Sequence, residues 1–120
     1  MRKIFISATA GITLLMILTG CFSAPAGIAA STMPITSKDS YTIVRRNAEG
    51  SDWRVVLLGI PLGPLSAHDA LEDAKKQNNA DALVNVTGEN RYKFFLLLWT
   101  EQMIIQGDAI KFRVAGEDVE

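Results

Sequence analysis

The stretch Ser66-Ala67-His68-Asp69-Ala70-Leu71-Glu72-Asp73-Ala74-Lys75-Lys76-Gln77-Asn78-Asn79, running on into Ala80-Asp81-Ala82-Leu83-Val84-Asn85-Val86-Thr87, carries the best-marked helix of the chain and the strand it feeds. Ser66 is a good N-cap. Asp69 lies in the first turn, where it meets exposed amides and the positive end of the helix. Ala67, Ala70, Leu71 and Ala74 recur at i, i+3, i+4 and i+7, which makes one apolar stripe, while Asp69, Glu72, Asp73, Lys76 and Gln77 fall largely off it. A stripe made mostly of alanine implies close approach to its neighbour, as on a sheet. Asn78-Asn79 ends the helix, asparagine being tolerated in the left-handed region. Ala82 to Thr87 then alternates as a strand, with Ala82, Val84 and Val86 on one side and Leu83, Asn85 and Thr87 on the other.

Working outward, Tyr41-Thr42-Ile43-Val44 is a run of strand formers followed by the turn-like Asn47-Ala48-Glu49-Gly50. Trp53 to Ile60 reads as a second strand, hairpin-paired to the first and stopped by Pro61-Leu62-Gly63-Pro64. Downstream, Gly88-Glu89-Asn90-Arg91 looks like a turn. Phe94 to Trp99 (FFLLLW) is apolar on both faces, and Thr100-Glu101-Gln102 separates it from a last strand running from Met103 to about Val114. Gly107 in that strand suggests a bulge or a close contact, and residues 116–120 form an acidic tail. The order ββαββ predicts an α+β domain over residues 41–115, with one antiparallel sheet of about four strands and one helix on a face. FFLLLW has two readings. It is either a central strand covered on both sides, or an exposed contact patch of Phe94, Phe95, Leu97 and Trp99 used for self-association or membrane contact, since one short helix cannot cover both faces of a sheet.

The N-terminus is organised differently. Arg2 and Lys3 precede an apolar run from Ile4 to Leu18, and Leu18-Thr19-Gly20-Cys21 follows. A short apolar segment with basic residues ahead and small residues at its end is an export signal, shorter than the roughly 20 residues of a permanent span. The Leu-Thr-Gly-Cys string is similar to the lipobox of bacterial lipoproteins. That resemblance implies diacylglycerol on the Cys21 thiol and cleavage between Gly20 and Cys21, so that residues 1–20 are a signal peptide. Phe22, rather than aspartate, after the cysteine implies the outer membrane, with the domain facing the periplasm. Residues 21–40, rich in Ala, Ser, Thr, Pro and Gly, read as a flexible lipidated tether, with an edge strand at Met33 to Thr36 as the alternative.

The whole chain has 12 basic and 13 acidic residues among 120, and without Arg2 and Lys3 the 12 become 10. That balance supplies no cationic footprint for nucleic acid. Cys21 is the only cysteine, so acylation leaves the domain without disulfide or thiol chemistry. His68 is the only histidine and stands alone, without the two or three further ligands that a metal site needs. Ser66 lacks a base-and-orienter set, and Gly59-Ile60-Pro61-Leu62-Gly63 lacks the Lys-Ser/Thr of a phosphate loop. No cofactor or enzymatic activity is expected.

Ala70, Leu71 and Ala74 leading into Ala80-Asp81-Ala82-Leu83-Val84-Asn85-Val86, with Gly107-Asp108-Ala109-Ile110-Lys111-Phe112 in the last strand, resemble small bacterial lipoproteins of the TRL-like kind. More distantly they resemble YbjQ-type domains, in which a helix runs into an Ala-Asp-Ala-Val/Leu strand. The similarity covers residues 69–112. The first likeness implies a fold and an address without an activity. The second implies sheet-mediated ring assembly, and without a Cys or His cluster metal binding does not carry over. The expected function is a membrane-anchored, non-enzymatic module that binds a protein partner or itself. A homo-oligomeric small-ligand module with Trp53, Phe95 and Trp99 lining an apolar pocket is the alternative.

Overall fold

The computed structural model describes residues 1–36 and 38–113. Its elements are α1 (Arg2–Leu18), β1 (Thr19–Ser31), β2 (Tyr41–Leu57), β3 (Ile60–Leu62), α2 (Ala67–Asn78), β4 (Ala82–Phe95) and β5 (Leu98–Phe112). The fold is α+β, with one five-stranded, wholly antiparallel sheet in the order β1-β4-β5-β2-β3. It has one strand more than the roughly four expected, and a second helix formed by the N-terminal apolar run. No helix among the described residues is long and apolar enough to cross a membrane.

The helix at 67–78 forms where its pattern placed it. Ser66 Oγ accepts from the Asp69 N–H, and Asn79 closes the helix with φ of 48° while its N–H reaches the Lys75 and Lys76 carbonyls. Asp52 Oδ2 accepts from the Ser66 N–H at 2.8 Å, tying the start of α2 to β2. Ala70 and Ala74 are completely buried, and with Leu83, Val86 and Ile105 they form the core on this helix face, edged by Leu71 and Met103. The alanines matter because they let the helix backbone settle on Gly50 of β2. A Cβ on Gly50 would stand 2.2 Å from the Ala70 carbonyl oxygen and 2.3 Å from the Ala74 nitrogen.

Four sequence expectations change at the sheet. The turn placed at Asn47–Gly50 does not exist: β2 runs unbroken from Tyr41 to Leu57, with irregularities between Ile43 and Ala48. Asn47, at φ of 51°, supplies the left-handed residue of that bulge instead of a reversal. The turn placed at Gly88–Arg91 is likewise strand, because β4 continues to Phe95 and pairs with β5 throughout. Thr100-Glu101-Gln102 also lies inside β5 rather than between two strands. The fourth change is in β4, where a register shift follows Val84 and Asn85 has φ of 54°. This breaks the simple alternation: Leu83 and Val86 share the helix face, while Ala82 and Val84 pack with Ile110 on the opposite, open face. Between the two bulges sits Asp108, accepting from the Asn47 N–H at 3.2 Å and from the Asn85 side-chain amide at 3.2 Å. Gly107 beside it is the expected close contact, since a Cβ there would meet the Val84 carbonyl oxygen at 3.0 Å.

The segment expected to be a tether is structured over most of its length. Thr19–Ser31 is the edge strand β1, paired to β4 from Thr19↔Phe95 to Ser31↔Val84. Its small residues suit an edge, and Pro25 falls next to a register shift, where a missing donor is tolerated. The alternative strand at Met33–Thr36 does not form. Instead Thr32 clamps Leu83 through backbone and hydroxyl hydrogen bonds, and Ile35 packs against the open-face cluster. Residues 114 and 116–120, the expected strand end and acidic tail, lie outside the described residues.

Asp73 gives the fold a pH dependence. Its carboxylate accepts from the Gln77 amide at 2.7 Å and from the Ser51 N–H at 3.1 Å, joining α2 to β2. These bonds, the Gln77 one first, hold its carboxyl below the usual range. A lowered native value means stabilisation that is complete above the unfolded-state value and fades as pH falls through the native one. The urea midpoint should therefore drop on acidification below about pH 4, and Asp73→Asn should remove part of that drop. Parallel midpoint-versus-pH curves for the two chains would show that this bond does not couple to folding.

Candidate functional site

The FFLLLW run is neither a covered central strand nor one face of a sheet. It bends back on itself: Phe94 and Phe95 end β4, Leu96 and Leu97 make a two-residue turn, and Leu98 and Trp99 begin β5. Leu96 takes φ of 55°, the left-handed conformation that tight hairpin turns require. A second hairpin ends beside it. Leu58 (φ 51°) and Gly59 (φ 82°) link β2 to β3, and the Leu58 N–H donates to the Leu97 carbonyl at 2.9 Å. Pro61 is admitted to β3 because that strand is the sheet's outer edge.

The two turns make one apolar tip. No charged residue occurs from Val55 to Pro64 or from Phe94 to Thr100. Leu58 is 63% exposed, Phe95 65% and Leu97 67%, with Leu57, Ile60, Leu62, Leu96 and Leu98 also open. Continuous apolar exposure of this kind is unusual on a domain that lives alone in water. Of the expected patch, Phe95 and Leu97 are at the tip itself, and Phe94 and Trp99 pair just behind it on the helix face. Sequence reasoning found this half and missed the other, Leu57, Leu58, Ile60 and Leu62. The available signal was the uncharged run from Val55 to Pro64 with Leu-Gly at its centre.

Behind the tip the helix face carries a row of rings. Phe22 and Tyr92 have centroids 6.0 Å apart, Tyr92 and Phe94 6.4 Å, and Phe94 and Trp99 5.8 Å. Level with Tyr92 lies a polar pair, in which Arg54 meets Glu101 at 2.6 Å and the Trp99 indole N–H donates to Glu101 at 3.2 Å. Cys21 is exposed and pairs with Lys93, while Gly20 pairs with Phe94. The residues on either side of the expected cleavage bond therefore stand at the apolar end of the sheet. Glu89, further along β4, accepts from Ser23 and Arg91, which hold its carboxyl below the usual range.

The three aromatics of the expected ligand pocket do not converge. Trp53 pairs with Gln102 and Phe95 with Leu98, both on the open face, while Trp99 pairs with Val56 on the helix face. The hollow beside Trp53, lined by Arg91, Lys93, Thr100 and Gln102, holds about 140 Å³, below the roughly 300 Å³ of a small-molecule site. His68 is exposed on α2, and among the described residues no three His, Cys, Asp or Glu side chains are grouped to hold a metal ion. Comparisons with family models, with curated proteins and with solved structures find no match for this chain.

Proposed function

We propose that this chain is an exported lipoprotein, cut before Cys21 and anchored through acyl groups on that residue, whose domain works by contact rather than catalysis. The observation that carries the reading is the location of Cys21. It is exposed, near the start of an edge strand, at the end of the sheet where the uncharged turns Leu58–Gly59 and Leu96–Leu97 lie. Outer-membrane attachment facing the periplasm follows from Phe22 at the position after the cysteine. Several acyl chains make such an anchor stable, at roughly 0.8 kcal/mol for each buried methylene.

The contact we propose is with a second copy of the chain, along the outer edge of β2. From Tyr41 to Glu49 no strand among the described residues pairs with that edge, and Tyr41, Ile43 and Val44 are exposed there; from Ser51 onward α2 caps the edge, Asp73 accepting from the Ser51 N–H. Unpaired edges accept a further strand. The bulges at Ile43–Ala48 and the charges of Arg45 and Arg46 restrict which strand fits. Light scattering on the detergent-solubilised lipoprotein, corrected for bound detergent, should give more than one copy per particle, and Val44→Pro should return it to one. A single copy at every concentration would remove self-association, leaving a different protein as the partner.

A further inference from the structure

The position of the tip relative to Cys21 allows a more specific statement, which rests on the lipoprotein reading. We propose that the paired hairpin turns Leu58–Gly59 and Leu96–Leu97 are seated in the bilayer surface beside the lipid anchor, so that the sheet stands end-on to the membrane. The occupant of the apolar tip is then lipid.

Depth supports this. Cys21 is level with Lys93 and Thr100, two residues back from the Phe95–Leu98 pair that closes the hairpin. At about 3.4 Å per residue the turn lies roughly 7 Å beyond the cysteine. Acyl chains linked at Cys21 bring that residue to the level of the lipid glycerol and ester groups. Side chains about 7 Å further along fall within the ~5–10 Å burial depth of interfacial protein segments. The chemistry is layered in the same sense. Aliphatic groups form the tip, Tyr92 and Trp99 stand behind it with polar ends near the headgroups, and Lys93 is exposed at the level of Cys21. The precursor agrees, because α1 leaves the domain at this same end, immediately before Thr19 pairs with Phe95.

The test uses the full chain with Trp53 and Trp99 replaced by Phe, so that each reporter is the only tryptophan, expressed in a bacterial host and reconstituted in vesicles whose acyl chains are brominated near the headgroup. Leu97→Trp places a reporter on the tip, Leu58→Trp repeats it on the other turn should the first fail to fold, and Ile28→Trp, exposed on β1 opposite Thr87 and away from the β2 edge, serves as the far-end control. The tip reporters should lose emission by roughly twofold or more relative to unbrominated vesicles, as expected at interfacial depth, and resist aqueous iodide. The control should do neither. Tip reporters open to iodide, or shielded from iodide yet unquenched by bromine, would overturn the proposal, the latter because protein would then cover the tip. Mass spectrometry of the same sample separates the two readings. Bromine quenching with an unmodified Cys21 would sink the anchor and leave the tip contact standing, and an acylated Cys21 with a water-exposed tip would do the reverse.

Discussion

Gly50→Ala should cost this domain about 3 kcal/mol or more, the upper end of what overpacking a core does. The added methyl would lie 2.2 Å from the Ala70 oxygen, 2.3 Å from the Ala74 nitrogen and 2.7 Å from the Ala74 Cβ. The first two are backbone atoms of α2, so no side chain can rotate away and the helix itself has to lift. Lifting it opens the contacts that bury Ala70 and Ala74 on Leu83, Val86 and Ile105. Small domains have little stability to spare, so the variant should be largely unfolded or have a greatly lowered urea midpoint. Gly88→Ala is the matched control on the same face, where the nearest atom to the new methyl is the Ala26 Cβ at 3.4 Å. If Gly50→Ala unfolds within about 1 kcal/mol of the parent chain, the close seating of α2 on β2 is wrong.

The second large effect is on attachment. Cys21→Ser should abolish incorporation of a radiolabelled lipid precursor and leave Met1 on the product. The fold should stay unchanged, because Cys21 is exposed and its thiol supports no core contact. Serine keeps the size and the strand but lacks the thiolate nucleophile that accepts diacylglycerol. Label incorporation and the mass of the N-terminus are the proper measurements. Membrane fractionation would mislead, since an uncleaved Ile4–Leu18 segment would itself hold the precursor at the membrane. Label on the serine variant, or a cut at Gly20 without it, would refute acylation at this position.

Some elements follow from neighbouring residues alone. Ser66, Asp69, the alanine stripe and Asn79 define a helix by caps and period, and the helix bounds follow them. The α+β class and the antiparallel sheet are legible for the same reason, as is the close contact at Gly107. Most of the differences concern where strands turn or bulge; the other is the strand Thr19–Ser31 in place of a tether. Asn47–Gly50 and Gly88–Arg91 have turn chemistry yet lie inside strands, because an asparagine at positive φ serves a bulge as well as a reversal, and Gly88 needs only a small neighbour, Ala26. Leu96–Leu97 has no turn chemistry and is the turn, imposed by the pairing of fourteen residues in β4 with fifteen in β5.

The lipobox-like string ending at Cys21, on which the proposed anchor rests, and half of the apolar tip can be read without coordinates, because each is contiguous in the chain. Their meeting at one end of the sheet was not visible. Cys21 and Phe94 are far apart in sequence, and residues 19–31 have too little side chain to announce a strand; β4 makes them one by offering an unsatisfied edge of backbone donors and acceptors. Local period and capping act over a few residues and can be read in order. Register between distant strands depends on which edges remain to be filled once the core has formed, and that is a property of the assembled sheet.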